Sequence, residues 1–270
     1  MKRGVFLPPF GSFGEPATLI DLAVAADEAG WDGFFLWDHL VHRVDGPYVD
    51  AWIALAAVAA RTEHVRIGPL VTPLPRRRPW KVAREAASLD HLSRGRLVLG
   101  VGIGTDHSRE FSAFGEAADD RTRAELLDEG LEIVAKLWAG EPAHHAGVHF
   151  HVDGAEFLPR PLQQPRIPIW CAAHWPHRTP LRRAARYDGV VAVGELRPDA
   201  VSELLAEVRC HRTLDAPFDV AVPSWTTTAP PHEYEHAGAT WWLEAFRPDT
   251  PLKTAQEAVQ RGPGAITHGG

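Results

Sequence analysis

An alternation constrains this chain more than any other feature. About eight short apolar runs, at residues 4–7, 33–37, 65–71, 97–102, 169–173, 189–193, 218–223 and 240–243, are mostly separated by stretches whose apolar residues recur at helical spacing. Unbroken runs of this length mark strands covered on both faces, as in a parallel sheet. Leu19, Leu22, Ala23 and Ala26 follow Glu15-Pro16 on one helical face, Asp50 sits as an N-cap before Ala51, and Pro79 opens a helix carrying Val82, Ala86 and Leu89. The strongest amphipathic stripe runs over residues 121–138. About eight strand-helix units with right-handed crossovers in 270 residues fit closure into a (β/α)8 barrel, the TIM-barrel architecture, better than an open doubly wound sheet. After the fourth helix a Gly-, His- and Pro-rich stretch breaks the pattern and reads as a surface hairpin. The expectation is one barrel domain over residues 1–270 with an insertion at about 141–167.

Composition excludes several classes of partner. A net charge of −7 gives no general attraction to a phosphate backbone, so no nucleic acid is expected. Cys171 and Cys210 lie far apart and outside any C-x-x-C spacing, which argues against a disulfide framework or a thiolate zinc site. Prolines 8 and 9 interrupt the first apolar run, and the longest apolar stretch, 51–60, is far short of the ~20 residues that span a bilayer, so the expectation is a cytoplasmic protein with no membrane segment.

A barrel of this kind builds its active site from loops at the carboxyl ends of its strands, so the residues just after each run are the candidates. Asp38-His39 follows the second run and Thr72 the third. Gly102-Ile103-Gly104 closes the fourth, and Ala172-Ala173-His174 the fifth. His39 is the leading catalytic candidate, because an imidazole exchanges protons near neutral pH, and its neighbour Asp38 is expected to orient it. The glycines are not a dinucleotide fingerprint, since no helix follows at once and no acidic residue stands at the required spacing; they leave room for a ligand against the backbone. No H-x-H follows the first strand and His149-Phe150-His151 falls in the hairpin, so no catalytic metal is expected. Arg76-Arg77-Arg78 reads as a solvated loop. Trp37, Trp80, Trp175 and Trp225 fall near strand ends, where a planar ligand or core packing would use them equally.

Several strings carry a family resemblance: residues 35–40 (FLWDHL), 78–84 (RPWKVAR) leading into 89–102 (LDHLSRGRLVLGVG), 110–115 (EFSAFG), 127–132 (LDEGLE) and 137–140 (LWAG). Together they resemble the bacterial luciferase-like, flavin-dependent oxidoreductases. The resemblance implies a barrel that binds reduced FMN or the deazaflavin coenzyme F420 at the carboxyl end of its strands, often as a homodimer. His39 would face the ring. A non-prolyl cis peptide near Leu70, Val71 and Thr72 would support it from behind, Gly102 and Gly104 would admit it, and backbone amides at Ala172, Ala173 and His174 would hold phosphate. Two departures matter. Arg43 and Thr105 stand where the F420-dependent sugar-phosphate dehydrogenases carry Trp and Glu, which argues against glucose 6-phosphate oxidation, and Ala172-Ala173 replaces the usual Gly-Gly. The leading expectation is a monooxygenase that uses FMN reduced by a separate reductase, with O2, on a small organic substrate. Hydride transfer with F420 is the runner-up, and a non-catalytic flavin-binding barrel is an alternative of another class.

Overall fold

In the computed structural model, which describes residues 1–264, the runs become strands at or within a few residues of the expected positions. The first half contributes β1 (Lys2–Leu7), α1 (Pro16–Glu28), β2 (Gly33–Leu36), α2 (Ala51–Arg61), β3 (Arg66–Pro69), β4 (Thr72–Pro73), α3 (Pro79–Leu92), β5 (Leu99–Gly102) and α4 (Asp120–Trp138). A hairpin of β6 (Ala143–Ala146) and β7 (His151–Ala155) follows. The second half contributes β8 (Ile169–Ala173), α5 (Arg178–Ala184), β9 (Gly189–Ala192), α6 (Pro198–His211), β10 (Asp219–Pro223), α7 (Pro231–His236), β11 (Trp241–Ala245) and α8 (Leu252–Arg261). Asp50 caps α2 as expected, accepting from the Ile53 amide at 2.9 Å, and Asp119 caps α4 in the same way through Thr122.

The strands of the main sheet pair in parallel in the order β3-β2-β1-β11-β10-β9-β8-β5-β4. β3 and β4 are two parts of one stave, interrupted at Leu70-Val71, so the nine segments fill eight positions. The Ile67 amide donates to the Arg96 carbonyl and the Val98 amide to the Ile67 carbonyl, at 3.1 and 2.8 Å, which closes the sheet into the barrel. The hairpin is antiparallel and lies outside the barrel on α4, where the Glu129 carboxylate accepts from the amides of Val148, His149 and Phe150. Helix α8 is the element that the alternation of runs does not mark. It buries only Ala255, Ala258 and Val259, and Trp31 Nε1 donates to the Val259 carbonyl at 2.9 Å.

Period-2 alternation divides the apolar side chains into two cores. Phe34 and Leu36 join the larger core between strands and helices, while Phe6, Phe35, Leu70, Trp170, Trp241 and Leu243 fill the barrel interior. Phe35, Trp170 and Trp241 form a triangle with ring centroids 5.5–5.8 Å apart, a bulky plug near the amino ends of the strands. The plug leaves no space at Gly189, where a Cβ would stand 2.6 Å from Trp170 Cδ1 and 2.8 Å from the Asp219 carbonyl oxygen. Replacing Gly189 by Ala should therefore lower the free energy of unfolding by about 1–3 kcal/mol, read as an earlier urea midpoint. An unchanged midpoint would show that the interior can give way at this point.

Candidate functional site

Strand alternation continues past the end of β2 and separates two adjacent residues. Trp37 and His39 share the parity of Phe35 and turn toward the barrel axis, whereas Asp38 shares the parity of Leu36 and turns outward. Asp38 is 3% exposed and its carboxylate is taken up on the outer side. It accepts from Thr72 Oγ1 at 2.8 Å, Trp52 Nε1 at 3.1 Å, Arg76 Nη2 at 2.9 Å and Arg77 Nη2 at 3.0 Å. This corrects two expectations. Asp38 does not orient His39, and Arg76 and Arg77 are not a solvated loop: their side chains are 2% and 18% exposed and are drawn in by a buried carboxylate.

The carboxylate that meets His39 comes from the loop after β5. Asp106 turns this loop by accepting from the amides of Phe111 and Ser112, and Glu110 is delivered inward, 1% exposed. His39 Nδ1 lies 2.8 Å from Glu110 Oε2. The other oxygen accepts from the amides of Leu40 and Val41 at 2.6 and 3.3 Å and pairs with Arg76 at 3.3 Å. With Glu110 ionised, the network assigns the proton to Nδ1 and leaves Nε2 as the free ring nitrogen. Glu110 belongs to one of the strings that carry the family resemblance, yet only the fold brings it, 71 positions away, against His39.

Burial pushes both carboxyls up, and their partners more than reverse it. The charges of Arg77 and Arg76, together with the Thr72 hydrogen bond, hold Asp38 below the ordinary Asp range. His39, Arg76 and the Leu40 amide do the same for Glu110. His42, beside His39 at a ring distance of 5.2 Å, is shifted down by burial and by the charges of His39 and Arg43.

The remaining candidates occupy different parts of the mouth. The cis peptide joins Leu70 to Val71, between β3 and β4. Gly100 lets β5 pass this step: a Cβ there would stand 2.4 Å from the Pro69 carbonyl oxygen. Leu70 is buried in the barrel interior and Val71 lies over it, partly exposed, while Thr72 is bonded to Asp38. Gly102 ends β5 facing Val71 and Ala172, and Gly104 lies against Pro73 and Phe111. Ala172 and Ala173 end β8, and His174 is exposed, with α5 opening only at Arg178. Trp37 and Trp225 come together at the mouth with centroids 4.8 Å apart, whereas Trp80 turns away to Phe150.

A family model described as luciferase-like monooxygenase matches residues 1–267 of the chain. An F420-dependent glucose-6-phosphate dehydrogenase of Nakamurella multipartita is 36% identical over 195 residues, which cover 70% of this chain and 56% of that protein's length. The oxygenase component of a flavin-dependent trigonelline monooxygenase from Acinetobacter baylyi is 31% identical over 160 residues, covering 59% of this chain and 43% of its own. The fold matches the coenzyme F420-dependent tetrahydromethanopterin reductase of Methanopyrus kandleri with a TM-score of 0.76 at 18% identity, over 97% of this chain and 98% of that one. Among the described residues, no helix is long and apolar enough to cross a membrane.

The charge network predicts an acid-dependent cost for Asp38→Asn. Removing one charge leaves Arg76 and Arg77 without their carboxylate, so the variant should lose about 3–5 kcal/mol of stability at neutral pH. A lowered folded pKa gives stability that is present above the unfolded value of ~3.9 and fades as pH falls toward the folded one. The gap between parent and variant in urea unfolding should therefore narrow between about pH 5 and 3; a constant gap would mean that the Asp38 charge is not what stabilises the mouth.

Proposed function

Because the chain belongs to the luciferase-like monooxygenase family, we propose that it is an oxidoreductase that binds a deazaflavin or flavin at the barrel mouth, with coenzyme F420 and hydride transfer as the leading reading. The observation that carries it is the His39-Glu110 pair at the mouth, an imidazole whose Nδ1 is held so that Nε2 is left to handle a proton. Relatives move F420 ahead of the reduced FMN and O2 reading that the sequence alone puts first, since seven dehydrogenases named as F420-dependent match at 33–36% identity. The FMN reading is kept as second because of the 31% identity to a flavin-dependent oxygenase component, and with it comes a separate reductase that supplies the reduced cofactor.

The residues present fit a flat ring. Val71 and Ala172 offer part-exposed apolar surface, with Leu70 buried beneath and Ala173 turned into the layer between strands and helices, and Gly102 keeps the gap between Val71 and Ala172 open, since a Cβ there would stand 3.1 Å from Val71 Cγ2 and 3.2 Å from Ala172 Cβ. His174 and the amides near it are the candidates for a phosphate-bearing tail. When bound, F420 supplies two-electron hydride chemistry. His39 takes or gives the accompanying proton at Nε2, with the ring held in place by the contact between Nδ1 and Glu110. Arg76, shared between Glu110 and Asp38, holds that carboxylate in place, and Phe10 and Trp37 flank the imidazole.

Anaerobic titration with reduced F420 and with FMNH2, followed by admission of air, tests the reading. Preference for F420 by about tenfold or more, with no oxygen-dependent transient, supports hydride transfer. The reverse preference with oxygen consumption moves the protein to the monooxygenase reading, and binding of neither overturns both. His39→Ala should lower turnover by on the order of 10²–10⁴ while the cofactor Kd changes little; binding without turnover in the parent would favour a non-catalytic barrel.

A further inference from the structure

The floor of the mouth has a chemistry of its own. Trp37 meets Phe6, Phe10 and Trp225 at ring distances of 6.0, 5.6 and 4.8 Å, and Phe10 is stacked on His42 at 5.1 Å. These rings arrive from the carboxyl ends of three strands, β1, β2 and β10, so the surface they share is aromatic on several sides. Trp225 is its outermost member, 39% exposed on the turn after β10, while Phe6 behind it is 5% exposed. Leu40 and Val193, 45% and 47% exposed, add apolar surface after β2 and β9.

Two polar features interrupt this surface. The indole N–H of Trp37 is buried with no hydrogen-bond partner among the described residues, and it belongs to a ring whose centroid is 5.9 Å from that of His39. A buried donor in this state is stabilised by any ligand acceptor that reaches it. The charges beneath the floor are matched among themselves: Asp38 by Arg76 and Arg77, Glu110 by Arg76 and His39. Burial and the charges of His39 and Arg43 hold His42 toward its neutral form. A phosphate therefore finds no uncompensated charge in the floor itself; the ring faces suit either an apolar ring or a quaternary cation, and the unpartnered Trp37 N–H favours a neutral ring that carries an acceptor.

We infer that the substrate is an uncharged, flat ring compound carrying a ketone or alcohol oxygen, with the ring against Trp225 and Phe6 and the oxygen between Trp37 Nε1 and His39 Nε2. The N–H is buried, so the oxygen reaches it only where a neighbouring ring, such as Trp225 at 4.8 Å from Trp37, moves aside. The inference rests on the proposed oxidoreductase reading, because it places the oxygen next to the proton-handling nitrogen.

Binding of α-tetralone, naphthalene, glucose 6-phosphate and N-methylpyridinium, followed by saturation-transfer NMR with and without reduced F420 or FMNH2, tests it. α-Tetralone should bind most tightly. Trp37→Phe, which keeps a ring and removes the N–H, should weaken α-tetralone by about three- to tenfold and leave naphthalene unchanged. Trp225→Ala should weaken both by a similar factor. Tighter binding of glucose 6-phosphate or N-methylpyridinium overturns the inference, as does equal loss of α-tetralone and naphthalene in Trp37→Phe. Cofactor binding without α-tetralone binding rejects the substrate class and spares the oxidoreductase reading; α-tetralone binding without either cofactor does the opposite.

Discussion

Two carboxylates buried at the mouth of the barrel, Asp38 and Glu110, fix the positions of nearly everything around them. Taking a carboxylate out of water costs several kcal/mol unless charge and hydrogen bonds replace the solvent, so each must collect partners from wherever the chain can supply them. Asp38 draws Arg76 and Arg77 from the segment before α3, Trp52 from the first turn of α2 and Thr72 from β4. Glu110 draws His39 and the amides of Leu40 and Val41 from the loop after β2. Arg76 belongs to both sets and couples them. The outcome is a continuous set of charge contacts from Arg77 to the imidazole, in which moving any one member exposes another to an uncompensated interior.

The barrel itself was legible from the sequence because its strands are covered on both faces and therefore appear as unbroken apolar runs. Residue neighbours were less informative than strand parity. Asp38 and His39 are adjacent in the chain, which suggests a pair, but a strand sends successive side chains to opposite faces, and the two end in different layers. Glu110 shows the converse. It sits in a loop with no periodicity to announce its direction, and its role depends on a turn closed by Asp106 that no pattern of apolar residues records. Arg76 and Arg77 read as solvated because three consecutive arginines ordinarily are; the carboxylate that draws two of them inward lies 38 and 39 positions away. Helix α8 was silent because so little of it is buried.

The barrel interior follows a different rule from the layer outside it. Its buried side chains are apolar or aromatic, Phe6, Phe35, Leu70, Trp170, Trp241 and Leu243 among them, and the Lys2 ammonium lies over the Trp241 ring at 5.1 Å. Large rings in a small barrel require missing side chains opposite, and Gly189 against Trp170 is the clearest instance. The same requirement operates at Gly100, where the chain has to pass the Leu70-Val71 step. Close packing of large rings resists rearrangement, and it gives the side chains at the mouth a fixed base.

These two layers meet at His39, and the division bears on how such a site can vary. The imidazole is oriented from outside by Glu110 and flanked from inside by Phe10 and Trp37. A change on the outer side breaks a charge set whose members depend on one another, with a cost in stability as well as in proton handling. A change in the aromatic floor alters shape and hydrogen bonding toward a ligand without touching any charge, because Phe6, Trp37 and Trp225 contribute only ring faces and two indole N–H groups. Ligand preference can therefore shift through the floor while the proton-handling nitrogen stays where the carboxylates hold it, and the identity of the floor residues is the physical basis on which this chain would differ from relatives that share its barrel and its histidine.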